Sequence, residues 1–136
     1  MGLDIYIKGY PREKAHHASY GLFNRYREDL SAVLGERYQT LYRKHEYTND
    51  EIQEIYDIEN KAIDTLGIEL VSGLTIFLWH SDCDGKLTPK QCKMCYDAIK
   101  DLPCSVFYYT GDKKMHDVWL PMLKYCYQHR VTMWFL

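Results

Sequence analysis

The sequence predicts a mixed α/β (α+β) fold, a sheet of about four strands with helices packed on it, and three observations carry that reading. Leu3-Asp4-Ile5-Tyr6-Ile7-Lys8 alternates apolar and polar residues at the strand period of two. Thr48-Asn49-Asp50-Glu51 and Thr88-Pro89-Lys90-Gln91 both carry the capping-box pattern that opens a helix. Two apolar runs, Leu74 to Trp79 and Val131 to Leu136, are rich in residues that favour strands. A length of 136 residues suits one core, so residues 1–136 read as a single domain.

The elements follow in order. Gly9 and Pro11 break the first strand, and His16-His17 fall in a loop before the first helix. Ser19 caps a helix over about Tyr20 to Leu34, in which Leu22, Phe23, Tyr26, Leu30 and Leu34 recur at helical spacing, and Gly35 ends it. Arg37 to Tyr47 reads as helical. The helix after Thr48 carries Ile52, Ile55, Tyr56, Ile63 and Leu66 on one stripe and closes at Gly67. These middle helices are heavily charged on their outer faces and read as a helical insertion or hairpin on the sheet. Leu74-Thr75-Ile76-Phe77-Leu78-Trp79 is unbroken and apolar, as a central strand covered on both faces would be. A helix then starts at Pro89, where Pro takes the first helical position and Gln91 the capping-box place. Ser105 to Tyr109 and Val131 to Leu136 read as strands. Between them Met115, Val118, Trp119, Met122 and Cys126 mark a helix that Pro121 either kinks or restarts.

Composition narrows the function. A net charge of −2 provides no basic field, so no nucleic acid is expected as a partner. No apolar run reaches the roughly 20 residues of a membrane span. Five cysteines without a regular framework point to reduced thiols and a cytoplasmic location. Thirteen Tyr and three Trp suit a binding surface as well as a core, since each pairs an apolar body with a polar tip.

The chemistry concentrates in His80-Ser81-Asp82-Cys83-Asp84-Gly85. The alternate oxygen-bearing positions, the Gly and the following Leu87 resemble the calcium loop of EF-hand proteins. In that register His80, Asp82, Asp84 and Gln91 are the metal candidates. The cofactor would be a divalent cation: calcium, magnesium or manganese. His80 and Gln91 replace the expected acids, which removes negative charge from the site. The same residues resemble the H-x-D-x-D-G motif of DHH-type phosphoesterases, which hold manganese at a phosphate. Zinc on His80, Cys83, Cys92 and Cys95 has the ligand count, but Cys92, Cys95, Tyr96, Ile99 and Leu102 form one apolar helical stripe that explains both cysteines by packing. Asp82 and Asp84 also suit a plain turn whose carboxylates bond backbone amides.

Met1-Gly-Leu-Asp-Ile-Tyr6, Ser19-Tyr20-Gly21 with Phe23 and Arg25-Tyr26-Arg27, and His80-Ser-Asp-Cys-Asp-Gly85 with Cys92 resemble a loose group of small bacterial and phage proteins. The resemblance covers both ends of the chain and omits the middle helices. It implies a small α/β fold and a phage or mobile-element origin, and it implies no activity. The sequence thus points to a small non-enzymatic binding or regulatory protein with a protein or small-molecule ligand. The alternative is a metal-dependent phosphoester hydrolase centred on His80, Asp82 and Asp84.

Overall fold

In the computed structural model, which describes residues 2–81, 84–108, 111 and 113–136, strand β1 (Gly2–Ile7) is used on both edges. Its first half pairs with β2 (His17–Ser19) and its second half with β4 (Met133–Phe135), both antiparallel. A two-residue strand, β3 (Lys86–Leu87), adds to β4 and completes the order β2-β1-β4-β3. Alternation then divides the sheet. Leu3, Ile5, Ile7, Leu87, Met133 and Phe135 are buried on the inner face. Asp4, Tyr6, Lys86 and Trp134 stand on the outer one.

The helices lie against the inner face. Ser19 accepts the Leu22 amide at 3.1 Å and starts α1 (Tyr20–Ser31), which ends through a short 3-10 turn at Gly35. The next helix, α2 (Glu36–Tyr42), is shorter than the expected 37–47. The chain leaves it before His45, and the Tyr47 hydroxyl donates back to the Lys44 carbonyl at 3.0 Å. Both sides of the Thr48 capping box are formed at the start of α3 (Asn49–Leu66). Lys44 pairs with Glu51 there and, with the Thr48 amide, holds that carboxyl down at about 2. This middle segment packs on neighbouring helices, chiefly α4, where the charge pattern suggested an insertion resting on the sheet.

The largest correction concerns residues 74–79. They form the second half of a helix, α4 (Ile68–Trp79), separated from α3 by Gly67 alone. The expectation of a doubly covered element holds and its secondary structure does not. Helices α1, α3 and α5 surround α4, so its apolar residues run all round and leave no stripe of period 3.6 to read. Gly73 makes the closest of these approaches. A Cβ there would sit 2.1 Å from the Met94 carbonyl oxygen and 2.8 Å from the Ala98 Cβ.

The second capping box also forms, with Thr88 and Gln91 opening α5 (Pro89–Ile99). Cys92 and Cys95 are buried in the core as the stripe implied. Burial pushes the Cys95 thiol up to about 12. The strand expected over 105–109 is not formed among the described residues. Phe107 and Lys114 make an isolated bridge, and Tyr109 lies outside the described residues. Helix α6 (Met115–His129) runs through Pro121 without a restart. Its Trp119 is fully buried, stacked on Phe23 at 4.8 Å and met edge-on by Phe77 at 5.3 Å.

Candidate functional site

The C-terminal end of α4 is anchored by side chains from α1 and α2. Helix carbonyls there lack intrahelical donors and need outside ones. Arg27 of α1, itself buried, donates to the His80 carbonyl at 2.5 Å and lies over the Phe23 ring. Tyr42 of α2 donates to the Leu78 carbonyl at 2.5 Å. The Trp79 indole N–H donates to the Tyr38 hydroxyl at 2.9 Å, which donates to Glu59 at 2.6 Å. Burial first, and then Glu59, push the Tyr38 phenol above its ordinary range, so it stays a neutral donor. Trp79 is fixed by this relay yet 43% exposed, with Tyr42 and Tyr47 rings at 4.9 and 6.0 Å.

The turn singled out by sequence follows directly. His80 lies on the Phe135 ring at 4.1 Å, with Nδ1 2.7 Å from the Ser81 carbonyl and Nε2 2.9 Å from the Lys86 carbonyl. Both ring nitrogens therefore face carbonyl oxygens, one from each end of the turn. Gly85 has φ of 89°, and its carbonyl accepts the Phe135 amide at 3.0 Å. Asp84 is exposed, and Asp82 lies outside the described residues. Gln91 is spent locally, because its side-chain oxygen accepts the Thr88 amide at 2.9 Å in the helix cap. Binding a cation through His80 and Gln91 would mean giving up these bonds. Among the described residues, no three His, Cys, Asp or Glu side chains gather as a metal-binding group.

Three other histidines, His16, His17 and His116, tie separate elements together. His17, expected in a loop, is in β2 and bridges the Asp4 carboxylate at 2.7 Å and the Arg12 carbonyl at 2.8 Å. His116 joins the Tyr26 hydroxyl at 2.6 Å to the Leu102 carbonyl at 2.8 Å. His16 is fully buried against Phe23 and Trp119. Its Nδ1 accepts the Trp119 N–H at 3.3 Å and meets the Tyr108 hydroxyl at 2.6 Å. The proton of the neutral ring is then on Nε2, which has no hydrogen-bond partner among the described residues.

Two clefts flank Trp79 and share it and Tyr47 as a common wall. One, of about 430 Å³, is polar and reaches from Arg43 and Lys44 to His80. The other, of about 510 Å³, runs between α3 and α4 over Ile52, Ile55, Tyr56 and Ile76. Glu59 is the one charged residue among those lining it. Sequence reasoning placed Ile52 and Tyr56 on the buried stripe of α3. They are 39% and 56% exposed, and Ile55 alone of that helix is buried. The available signal was an apolar stripe wider than the faces its neighbours cover.

Six of the exposed large apolar side chains gather in two groups, Ile52, Tyr56 and Trp79 beside the α3–α4 groove and Tyr6, Trp134 and Leu136 on the outer sheet face, while Ile68 and Phe107 are exposed elsewhere. No described helix is long and apolar enough to cross a membrane. No protein-family model matches the chain, and no curated protein or solved structure matches it.

Proposed function

We propose that the chain is a non-enzymatic binding protein and that the groove between α3 and α4, ending at Trp79, takes an apolar side chain of a cationic segment of a partner protein. One observation carries this reading. Three large, partly exposed side chains from two helices converge on a single apolar groove, and Trp79 is held there by the Tyr38–Glu59 relay. A fixed, half-desolvated aromatic residue beside a pocket is what interface anchors are made of. The charge of the partner follows from α3, where Glu51 and Glu54 are paired with Lys44 and Arg37 but Asp50, Asp57, Glu59 and Asp64 still outnumber Lys61. A partner with lysines or arginines beside its apolar anchor meets an opposite potential, and an acidic one is repelled.

The test uses two model peptides with the same apolar residues, one flanked by lysines and the other by glutamates. Amide chemical shifts of the whole protein are followed as each is added. The lysine peptide should shift α3 and α4 residues around Ile52, Tyr56 and Trp79, and Tyr56→Ser should weaken its binding severalfold. Equal response to both peptides, or shifts that leave this groove untouched, would refute the assignment.

A further inference from the structure

The second exposed apolar group is a different kind of surface. Strand register places Tyr6, Trp134 and Lys86 directly abreast on three neighbouring strands. Tyr6 is 53% and Trp134 42% exposed, while their chain neighbours Ile5, Ile7, Met133 and Phe135 are buried on the other side. The next row across the sheet holds Leu136, Asp4 and His17, tied by the Leu136 amide to the Asp4 carbonyl at 2.9 Å and by the Asp4–His17 pair. Directly opposed residues of antiparallel strands have Cβ atoms about 5 Å apart. Two aromatic residues of different size therefore stand on directly opposed positions of paired strands, each about half exposed.

Cations border these rings. Lys86 Nζ lies 5.5 Å from the Trp134 ring centre, a contact with a π face that an anion can replace. Lys8 follows β1 in the turn next to Tyr6 and is exposed. Arg12 lines a small cleft beside Tyr6, of about 200 Å³, together with Tyr10 and Leu136. The carboxylate in the middle, Asp4, already accepts from His17 Nδ1 at 2.7 Å.

We propose that this outer sheet face binds single-stranded nucleic acid, with two successive bases stacked on Tyr6 and Trp134 and the connecting phosphates met by Lys86, Lys8 and Arg12. Stacking on aromatic side chains beside scattered cations is the common chemistry of single-strand recognition, and it tolerates any base because every base has a π face. A duplex, whose bases are already stacked, offers this flat face nothing to stack on it. A purely apolar partner would have to desolvate Lys86, Lys8 and the Asp4–His17 pair, which favours the nucleic acid. The net charge of −2 adds no long-range attraction, so binding rests on these short contacts and is modest in strength.

The experiment measures fluorescence anisotropy of labelled oligo(dT), oligo(U) and a duplex of equal length with the intact protein. The dT and U arms separate DNA from RNA as the source of the same chemistry. Single strands should bind and the duplex should not. With three phosphate contacts the affinity should drop roughly tenfold to twentyfold between 50 and 200 mM salt. Tyr6→Ala and Trp134→Ala should each weaken binding at least about fivefold. Lys86→Ala, which leaves both rings in place, should flatten the salt dependence and keeps the test open if an aromatic variant fails to fold. Tyr56→Ser, in the α3–α4 groove, should leave oligonucleotide binding unchanged. No binding to any single strand at low salt would overturn the proposal. So would binding that is indifferent to Tyr6, Trp134 and Lys86, or self-association that buries this face.

Discussion

His16 should make the stability of this protein fall steeply in mild acid. Its imidazole is shut among Phe23, Trp119 and Tyr108, and its backbone amide donates to the Met122 sulfur at 3.4 Å. Burial, and secondarily the neighbouring His17, lower its pKa from 6.5 to about 4, with Asp4 opposing weakly. A histidine whose pKa is lower in the folded state stays neutral there while the unfolded chain takes up a proton. Above pH 6.5 neither state is charged and nothing is lost. As the pH falls from 6.5 towards 4, the unfolded state is favoured by an amount that reaches roughly 3 kcal/mol at pH 4 and about half of that at pH 5.5. That is a large fraction of the 5–15 kcal/mol that holds an ordinary domain folded. Urea unfolding at pH 7.5, 5.5 and 4 would measure the loss in wild type and in His16→Gln, which is less stable at neutral pH but cannot titrate. Carboxylates titrate in both proteins, so the difference between the two pH profiles isolates His16. Parallel profiles would refute the reasoning, as would a His16 ring signal that titrates near 6.5 in the folded protein.

Two substitutions test how the helices are held. Gly73→Ala should cost at least about 3 kcal/mol and lower the melting temperature by roughly 10 °C, since the obstructing atom is the backbone carbonyl of Met94 and cannot rotate away. A melting curve superimposable on wild type would show that α4 and α5 are not in that contact. Thr48→Ala removes the acceptor for the Glu51 amide and should cost about 1 kcal/mol in chemical denaturation, with the midpoint moving to lower denaturant.

What the sequence made legible were the signals confined to a few adjacent residues. The alternation of 3–8 needs only a strand with one buried face. The capping boxes of Thr48 and Thr88 need only a helix end, and each formed as read. Failure came where neighbours distant in sequence decide. Ile68–Trp79 is enclosed by three helices, so the periodicity that identifies a helix disappeared into uniform apolarity, and its β-branched residues suggested a strand. Its full length of twelve residues between Gly67 and His80 was the overlooked sign, since a strand rarely runs so long. Strands β2 and β3 have three and two residues and no period to detect. For the candidate surfaces the limit is the same. Ile52, Tyr56 and Trp79 become one groove only when α3 folds against α4, and Tyr6 meets Trp134 only through a register that no local pattern encodes.

The double use of β1 has a consequence for how the chain reaches its fold. Leu3, Ile5 and Ile7 are made before every described helix, and β2 can cover only the first half of that strand soon afterwards. The partner for Ile5, Tyr6 and Ile7 is β4, at the opposite end of these residues, with every described helix made in between. Closing so long a loop carries an entropic penalty before any contact compensates it. Until β4 arrives, an apolar strand with an unpaired edge waits beside helices that can form on their own. The unpaired half of β1 is therefore open to aggregation until β4 docks, and deleting residues 133–135 should leave it so.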